Sequence, residues 1–362
     1  MKILLSYPSE HELNEGRHYA RVLQRLGHQV YVVNVANRWY SAPPGQFSRG
    51  YPPDITLQEI LNDYPGADLF LWIEPFGLIP RGLETSPIPT AAIISDVHRN
   101  LKSRLLQARF FDLVFLRQRN YLPFFRDHPP GAVVWHPWTC NTEIVRDLHV
   151  SRDLDVAMIG KMYMASRRRL IKILSRQYRV NEMRYYPYEE IAQVYSRAKI
   201  VFNIPVGNDL NPRFFEAMAC GALLLTKRAA NGQEVLFQEG VHYVGFDTER
   251  ELLEKIDYYL SHDEERERIA RAGYEEVHKN HTLVHRVQAL LETVQKGPLF
   301  GAPIRRMRQS DILSLYASFY ERFGHIDALL RLAATYRSTP IKRFYFLGMG
   351  LKSFLRRAVL AW

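Results

Sequence analysis

The stretch "NDLNPRFFEAMACGALLLT", residues 208–226, sets capping, charged and turn-forming residues around one short helix that runs straight into an apolar strand. Asn211 suits the N-cap, because its side-chain oxygen can accept a free backbone N–H. Pro212 suits the first helical position, where no N–H is needed. Gly221 suits the left-handed residue that follows a last turn. The spacing therefore predicts a helix over Pro212–Cys220. Free N–H groups and the dipole at its start favour an anion, most often phosphate. Arg213 stands in the first turn, where a cation opposes the bare helix dipole, and an anionic ligand would remove that conflict. Glu216 lies one turn deeper and could accept two hydrogen bonds from a ribose diol. A plain surface helix can also carry one Glu and one Arg, so these residues alone leave both readings open.

The elements that must position this helix are buried strands alternating with helices. In the first half, "KILLSYP" (2–8), "HQVYVVNV" (28–35), "DLFLWIEP" (68–75), "TAAIISD" (90–96), "FDLVFLR" (111–117) and "GAVVWHP" (131–137) read as strands, with a helix near 16–26 and loop-rich sequence around "SAPPG" and "RGYPP". Short apolar runs bounded by turns and separated by helices mark a buried parallel sheet. A second alternation begins at "LDVAMIG" (154–160) and continues through a basic helix at 166–177, a helix at 188–198, strand "KIVFNIP" (199–205), the helix above, and strands at 222–226 and 242–246. The loop "VGNDLN" leaves the carboxyl end of strand 199–205, where open α/β sheets bind ligands. The expected domains are 1–140 and 150–295, with a helical, basic extension over 304–362.

Composition narrows the class. The chain has 362 residues, 47% hydrophobic and 24% charged, which is ordinary for a globular protein of two domains. No apolar run reaches the roughly 18 residues of a membrane-spanning helix, and the start turns polar too soon for a signal peptide. Two cysteines, Cys140 and Cys220, stand outside any metal-type spacing and point to a reducing, cytoplasmic setting. The net charge of +10 is concentrated at the end: residues 301–362 hold eleven Lys/Arg against three Asp/Glu. An anionic partner is therefore to be sought there.

The segment "NPRFFEAMACGALLLT" resembles the nucleotide-binding segment of GT-B glycosyltransferases, most closely the spore-maturation-protein type among the group 1 transferases, with its "RxFEAMACGxLLLT" pattern. The resemblance runs on through "FQEGVHYVGFDTERELLEKIDYYL" to the terminal "HT...R". It implies an α/β fold of two Rossmann-like domains facing each other across a cleft. The second would hold a nucleotide-diphosphate sugar and the first would present the acceptor. By this resemblance Glu216 binds the donor's ribose, while Gly160 and Lys161 stand near its phosphates. Arg167, Asn208, Asn211 and Arg213 complete the implied donor site. One departure is plain: where many retaining members carry a glutamate eight positions before the ribose glutamate, this chain has Asn208. Retention or inversion of the anomeric centre is left open.

In the first domain, "ISDVHRN" (94–100) places Asp96 and His98 just past a strand end. Either could contact the sugar or remove the acceptor proton; alternatively Asp96 caps the helix that begins near Asn100. His136, in "WHPW", reads as hinge packing. The resemblance implies no metal and no cofactor beyond the nucleotide sugar, and a saccharide, lipid-linked or protein acceptor of the kind used in cell-surface glycan synthesis. In "LKSFLRRAVLAW" an apolar helical stripe ends in Trp362 with Lys352, Arg356 and Arg357 off it. Such a helix packs on its own protein or lies on an anionic membrane at its inner face, through 341–362. A nucleic-acid-base glycosyltransferase and a non-catalytic nucleotide-sugar binder are the alternatives. No dedicated nucleic-acid motif supports the former.

Overall fold

The computed structural model describes residues 1–7, 15–35, 49–52, 54–74, 78–160, 165–323 and 325–335. The chain divides into two compact units. The first comprises residues 1–117, 121–136 and 290 onward; the second comprises 118–120 and 137–289.

In the first unit, strands β1 (Lys2–Ser6) and β2 (Gln29–Val35) flank helix α1 (Glu15–Arg25). They are followed by β3 (Arg49–Tyr51), α2 (Leu57–Asp63), β4 (Leu69–Ile73), β5 (Thr90–Ile94), α3 (Leu101–Ala108), β6 (Leu113–Leu116) and β7 (Val133–Trp135). Among the described residues these form one seven-stranded sheet of order β3-β2-β1-β4-β5-β6-β7. Every neighbouring pair is parallel, with Leu4 opposite Phe70 and Phe70 opposite Thr90. The order turns outward from β1 in both directions, as in dinucleotide-binding sheets. All five residues of β4 are buried, as a strand covered on both faces requires.

The second unit holds β8 (Leu154–Ala157), α4 (Ala165–Leu174), α5 (Ile191–Tyr195), β9 (Ala198–Asn203), α6 (Pro212–Ala219) and β10 (Leu223–Lys227). After α7 (Gln233–Leu236) and β11 (Val244–Phe246) come α8 (Glu249–Ser261) and α9 (Asp263–Asn280). Its parallel sheet has the order β11-β10-β9-β8. A separate apolar cluster, including Val156, Leu170, Phe202, Leu225 and Ile269, fills it.

The chain re-enters the first unit within α10 (Leu283–Lys296). Helices α11 (Gln309–Phe323) and α12 (Ile326–Thr335) then join the first core, where Tyr316, Phe319 and Leu329 pack with Phe110 and Leu83. Arg305 seals this junction. Its Nε and Nη2 donate to the Asp112 carboxylate at 2.8 and 3.0 Å, and Asp112 has no exposed side-chain surface. Residues 336–362, and with them the basic tail at 341–362, lie outside the described residues. Among the described residues no helix is long and apolar enough to cross a membrane.

Candidate functional site

The second-unit site starts at the carboxyl end of β9. Gly207 and Asn208 both adopt the left-handed conformation, at φ 66° and 55°, and turn the chain back toward α6. Asn is among the residues that tolerate this region, and Asn208 stands exposed in the turn. Asp209 behind it is buried and accepts hydrogen bonds from Gln118 Nε2 at 2.9 Å and Asn231 Nδ2 at 3.3 Å. Asn211 occupies the N-cap and Pro212 the first helical position, as the sequence predicts. Gly221 follows the helix at φ 67°.

The Asn211 side chain departs from expectation. It caps no backbone N–H of α6. Its amide donates instead to Asn203 Oδ1 at 3.2 Å, because the last residue of β9 offers an acceptor beside it. Asn211 Oδ1 is left buried with no partner among the described residues. Buried polar atoms are normally paired, which sets this oxygen apart from its neighbours. The N–H groups that open α6 likewise lack a side-chain cap.

Two guanidinium groups converge beside them. Arg213 donates from Nε to Asn203 Oδ1 at 3.1 Å and from Nη1 to Ile159 O at 3.5 Å. Arg167, only 3% exposed, donates from Nη2 to Ile204 O. Both reach Gly160, which follows β8. A methyl group there would lie 3.0 Å from Arg213 Nη1 and 3.6 Å from Arg167 Nη1. Two like charges at the positive end of a helix repel each other and the dipole unless an anion joins them. Neighbouring Arg168 and Arg169 point to solvent, so the basic run of α4 is divided between one buried and two exposed side chains. Lys161 lies outside the described residues.

Glu216 is 5% exposed on the inner side of α6. Burial, with the charge of Glu216 as the next cause, pushes up the Tyr195 phenol and the thiols of Cys140 and Cys220. The cysteines are therefore held as thiols, which makes them poor nucleophiles. Tyr195 Oη accepts the Ile159 N–H at 3.3 Å, which ties Glu216's surroundings to the backbone at Gly160.

In the first unit, Asp96 adopts a left-handed φ of 51° and makes no side-chain cap. Asn100 does that work instead, accepting the Ser103 N–H at 3.2 Å to start α3. Asp96 lies 3.5 Å from Arg99 Nε. His98 is half-buried, and both its ring nitrogens are buried without a hydrogen-bond partner among the described residues. His136 is buried and packs within the first unit, its Nε2 2.8 Å from Tyr19 Oη. Sequence reasoning missed Glu74, which follows β4. Its fully buried carboxylate accepts the Ser95 N–H at 2.6 Å and pairs with Arg104. An acidic residue closing a buried strand was the available signal.

Residues 142–292 match the family described as glycosyl transferase-like. Sucrose-phosphate synthase from Thermosynechococcus elongatus superposes over 82% of this chain and 98% of its own, at 12% identity and a TM-score of 0.54. HepE of Anabaena, in complex with UDP and glucose, does so over 82% and 100%, at 13% identity and 0.58. The fold is GT-B. An alpha-glucosyltransferase in complex with UDP-glucose and DNA containing an abasic site shares this GT-B fold over 82% and 99%, at 12% identity and 0.56. No curated protein matches the chain.

Proposed function

We propose that this chain is a glycosyltransferase, of hexosyl type, that moves a sugar from a nucleotide-diphosphate donor to a saccharide, lipid-linked or protein acceptor. The observation that carries the reading is the convergence of Arg167 and Arg213 on Gly160 at the uncapped start of α6. The donor diphosphate sits there, its charge met by the helix end and two guanidiniums, with no metal or further cofactor. Lys161, next to Gly160 in the sequence, adds charge. Asn211 Oδ1 accepts from a donor hydroxyl, Asn208 borders the sugar, and Glu216 holds the ribose diol. On the acceptor side, Asp96 and His98 contact the sugar or take the acceptor proton. The protein works in the cytoplasm at the inner face of the membrane. There the basic segment 341–362 meets anionic lipid, and the enzyme, a transferase of the spore-maturation-protein type, serves cell-surface glycan or glycoconjugate synthesis. The GT-B fold shared with proteins solved with UDP and glucose supports a UDP donor.

A thermal-shift screen of nucleotide sugars tests this, since a ligand that binds only the folded state raises its midpoint. UDP- or GDP-type donors raise the midpoint, and Glu216→Ala abolishes the rise while the protein stays folded. No shift with any nucleotide diphosphate, or an unchanged shift in Glu216→Ala, refutes the site. Release of UDP from UDP-glucose separates a transferase from a binder.

A further inference from the structure

We infer that Glu74, together with Arg104, is a positioning residue for the turn that carries Asp96 and His98. The inference rests on the transferase reading for its catalytic consequence, though not for its geometry. Glu74 stands one residue past β4 and its N–H still donates to Ile93 O at 3.1 Å, as the strand ladder would. Where the ladder stops, side chains replace it. The Glu74 carboxylate accepts the Ser95 N–H at 2.6 Å, and Arg104, from α3, donates from Nε to the Ser95 carbonyl at 2.8 Å. Arg104 also pairs with Glu74 and reaches Gln107 Oε1 at 3.1 Å. Both backbone polar groups of Ser95 are thus gripped from the side.

The next residue is the left-handed Asp96. A non-glycine residue keeps that conformation only where its surroundings fix it. Two residues on, His98 presents ring nitrogens that are buried and unpartnered. The direction of that ring follows from the turn, and the turn follows from the clamp on Ser95. Stability alone does not explain the clamp. A buried ion pair is often no better than an apolar pair of the same volume, whereas loss of one partner is costly. Here the pair sits beside a turn whose imidazole, among the described residues, makes no hydrogen bond from either ring nitrogen.

The test uses the full chain and two readouts. One is the rate at which diethyl pyrocarbonate modifies His98, mapped by mass spectrometry; the other is UDP release from UDP-glucose. Glu74→Gln keeps an acceptor for Ser95 but loses the charge that holds Arg104. It changes the His98 modification rate at least about threefold and lowers kcat at least about tenfold, with KM for UDP-glucose within about twofold. Arg104→Lys, which retains the charge but not the fork, moves both readouts the same way and serves if Glu74→Gln does not fold. Arg305→Met, which loosens the same unit far from this turn, leaves His98 modification and kcat within about twofold. A folded Glu74→Gln protein with wild-type His98 modification and kcat overturns the inference. If the wild-type chain releases no UDP, the transferase reading fails while His98 modification still decides the positioning role.

Discussion

The buried carboxyl of Glu74 makes the first unit's stability depend on pH in an uncommon direction. Burial pushes its pKa from 4.5 to about 7, against the pull of Arg104 and the Ser95 N–H and with a further push from the charge of Asp96. Between those two values the folded chain holds a proton that the unfolded chain has released. Raising the pH therefore costs the folded state, and stability present below 4.5 is lost by the time the pH passes 7. At about 1.4 kcal/mol per pKa unit, the loss is about 3 kcal/mol. Glu74→Gln cannot ionise, so the stability gap between variant and wild type shifts by that amount across the window, in the variant's favour as pH rises. Hydrogen exchange followed by mass spectrometry over peptides spanning 69–94 reads the first unit on its own, which matters because two units need not unfold together. A gap that stays constant from about pH 5 to 8 refutes the reasoning.

The second unit answers pH in the opposite sense. Burial, with Arg286 beside it, lowers His281 from 6.5 to about 4. Stability contributed there is present above 6.5 and about 3 kcal/mol is lost as pH falls through 4. Exchange in peptides spanning 277–289 shows the trend, and His281→Gln flattens it. Arg305→Met leaves the buried Asp112 charge without its cation and lowers first-unit stability by about 3 kcal/mol; a fall in thermal midpoint too small for about 1 kcal/mol contradicts the account of that junction. Gly160→Ala meets Arg213 at a tight 3.0 Å, but the residue there has no left-handed φ to strain. Folding stability stays within about 1 kcal/mol, while UDP affinity by calorimetry drops about tenfold, equivalent to about 1.4 kcal/mol. Unchanged affinity would remove Gly160 from the phosphate site.

Much of the donor helix was legible from residue types. Pro212, Asn211 and Gly221 fixed its ends to within a residue, because backbone conformations there admit few side chains. The Asn211 hydrogen bond was not, since its partner Asn203 is a neighbour only after β9 and α6 fold together. Arg167 was separable from Arg168 and Arg169 in principle: it shares the spacing of Leu170, Ile171 and Leu174, the buried face of α4. Helix α2 was overlooked in a loop-rich reading although Thr56 and Glu59 form a capping box. Adjacent β3 is three residues long and carries Arg49 and Gly50, so periodicity had nothing to report. Glu74 read as the end of a strand. Its importance depends on Arg104, thirty residues on and in another element, and no local pattern announces that pairing.

The interleaving of the two units bears on how the polypeptide matures on the ribosome. Residues 137–289 are contiguous and are synthesised before the segment that completes the first core. The N-terminal sheet must wait for Tyr316, Phe319 and Leu329 to emerge before Phe110 and Leu83 gain their cover. Domains tend to fold as units in the order they leave the exit tunnel. Here that rule favours the later-encoded body finishing first, while the earlier one lingers with apolar surface open to chaperones.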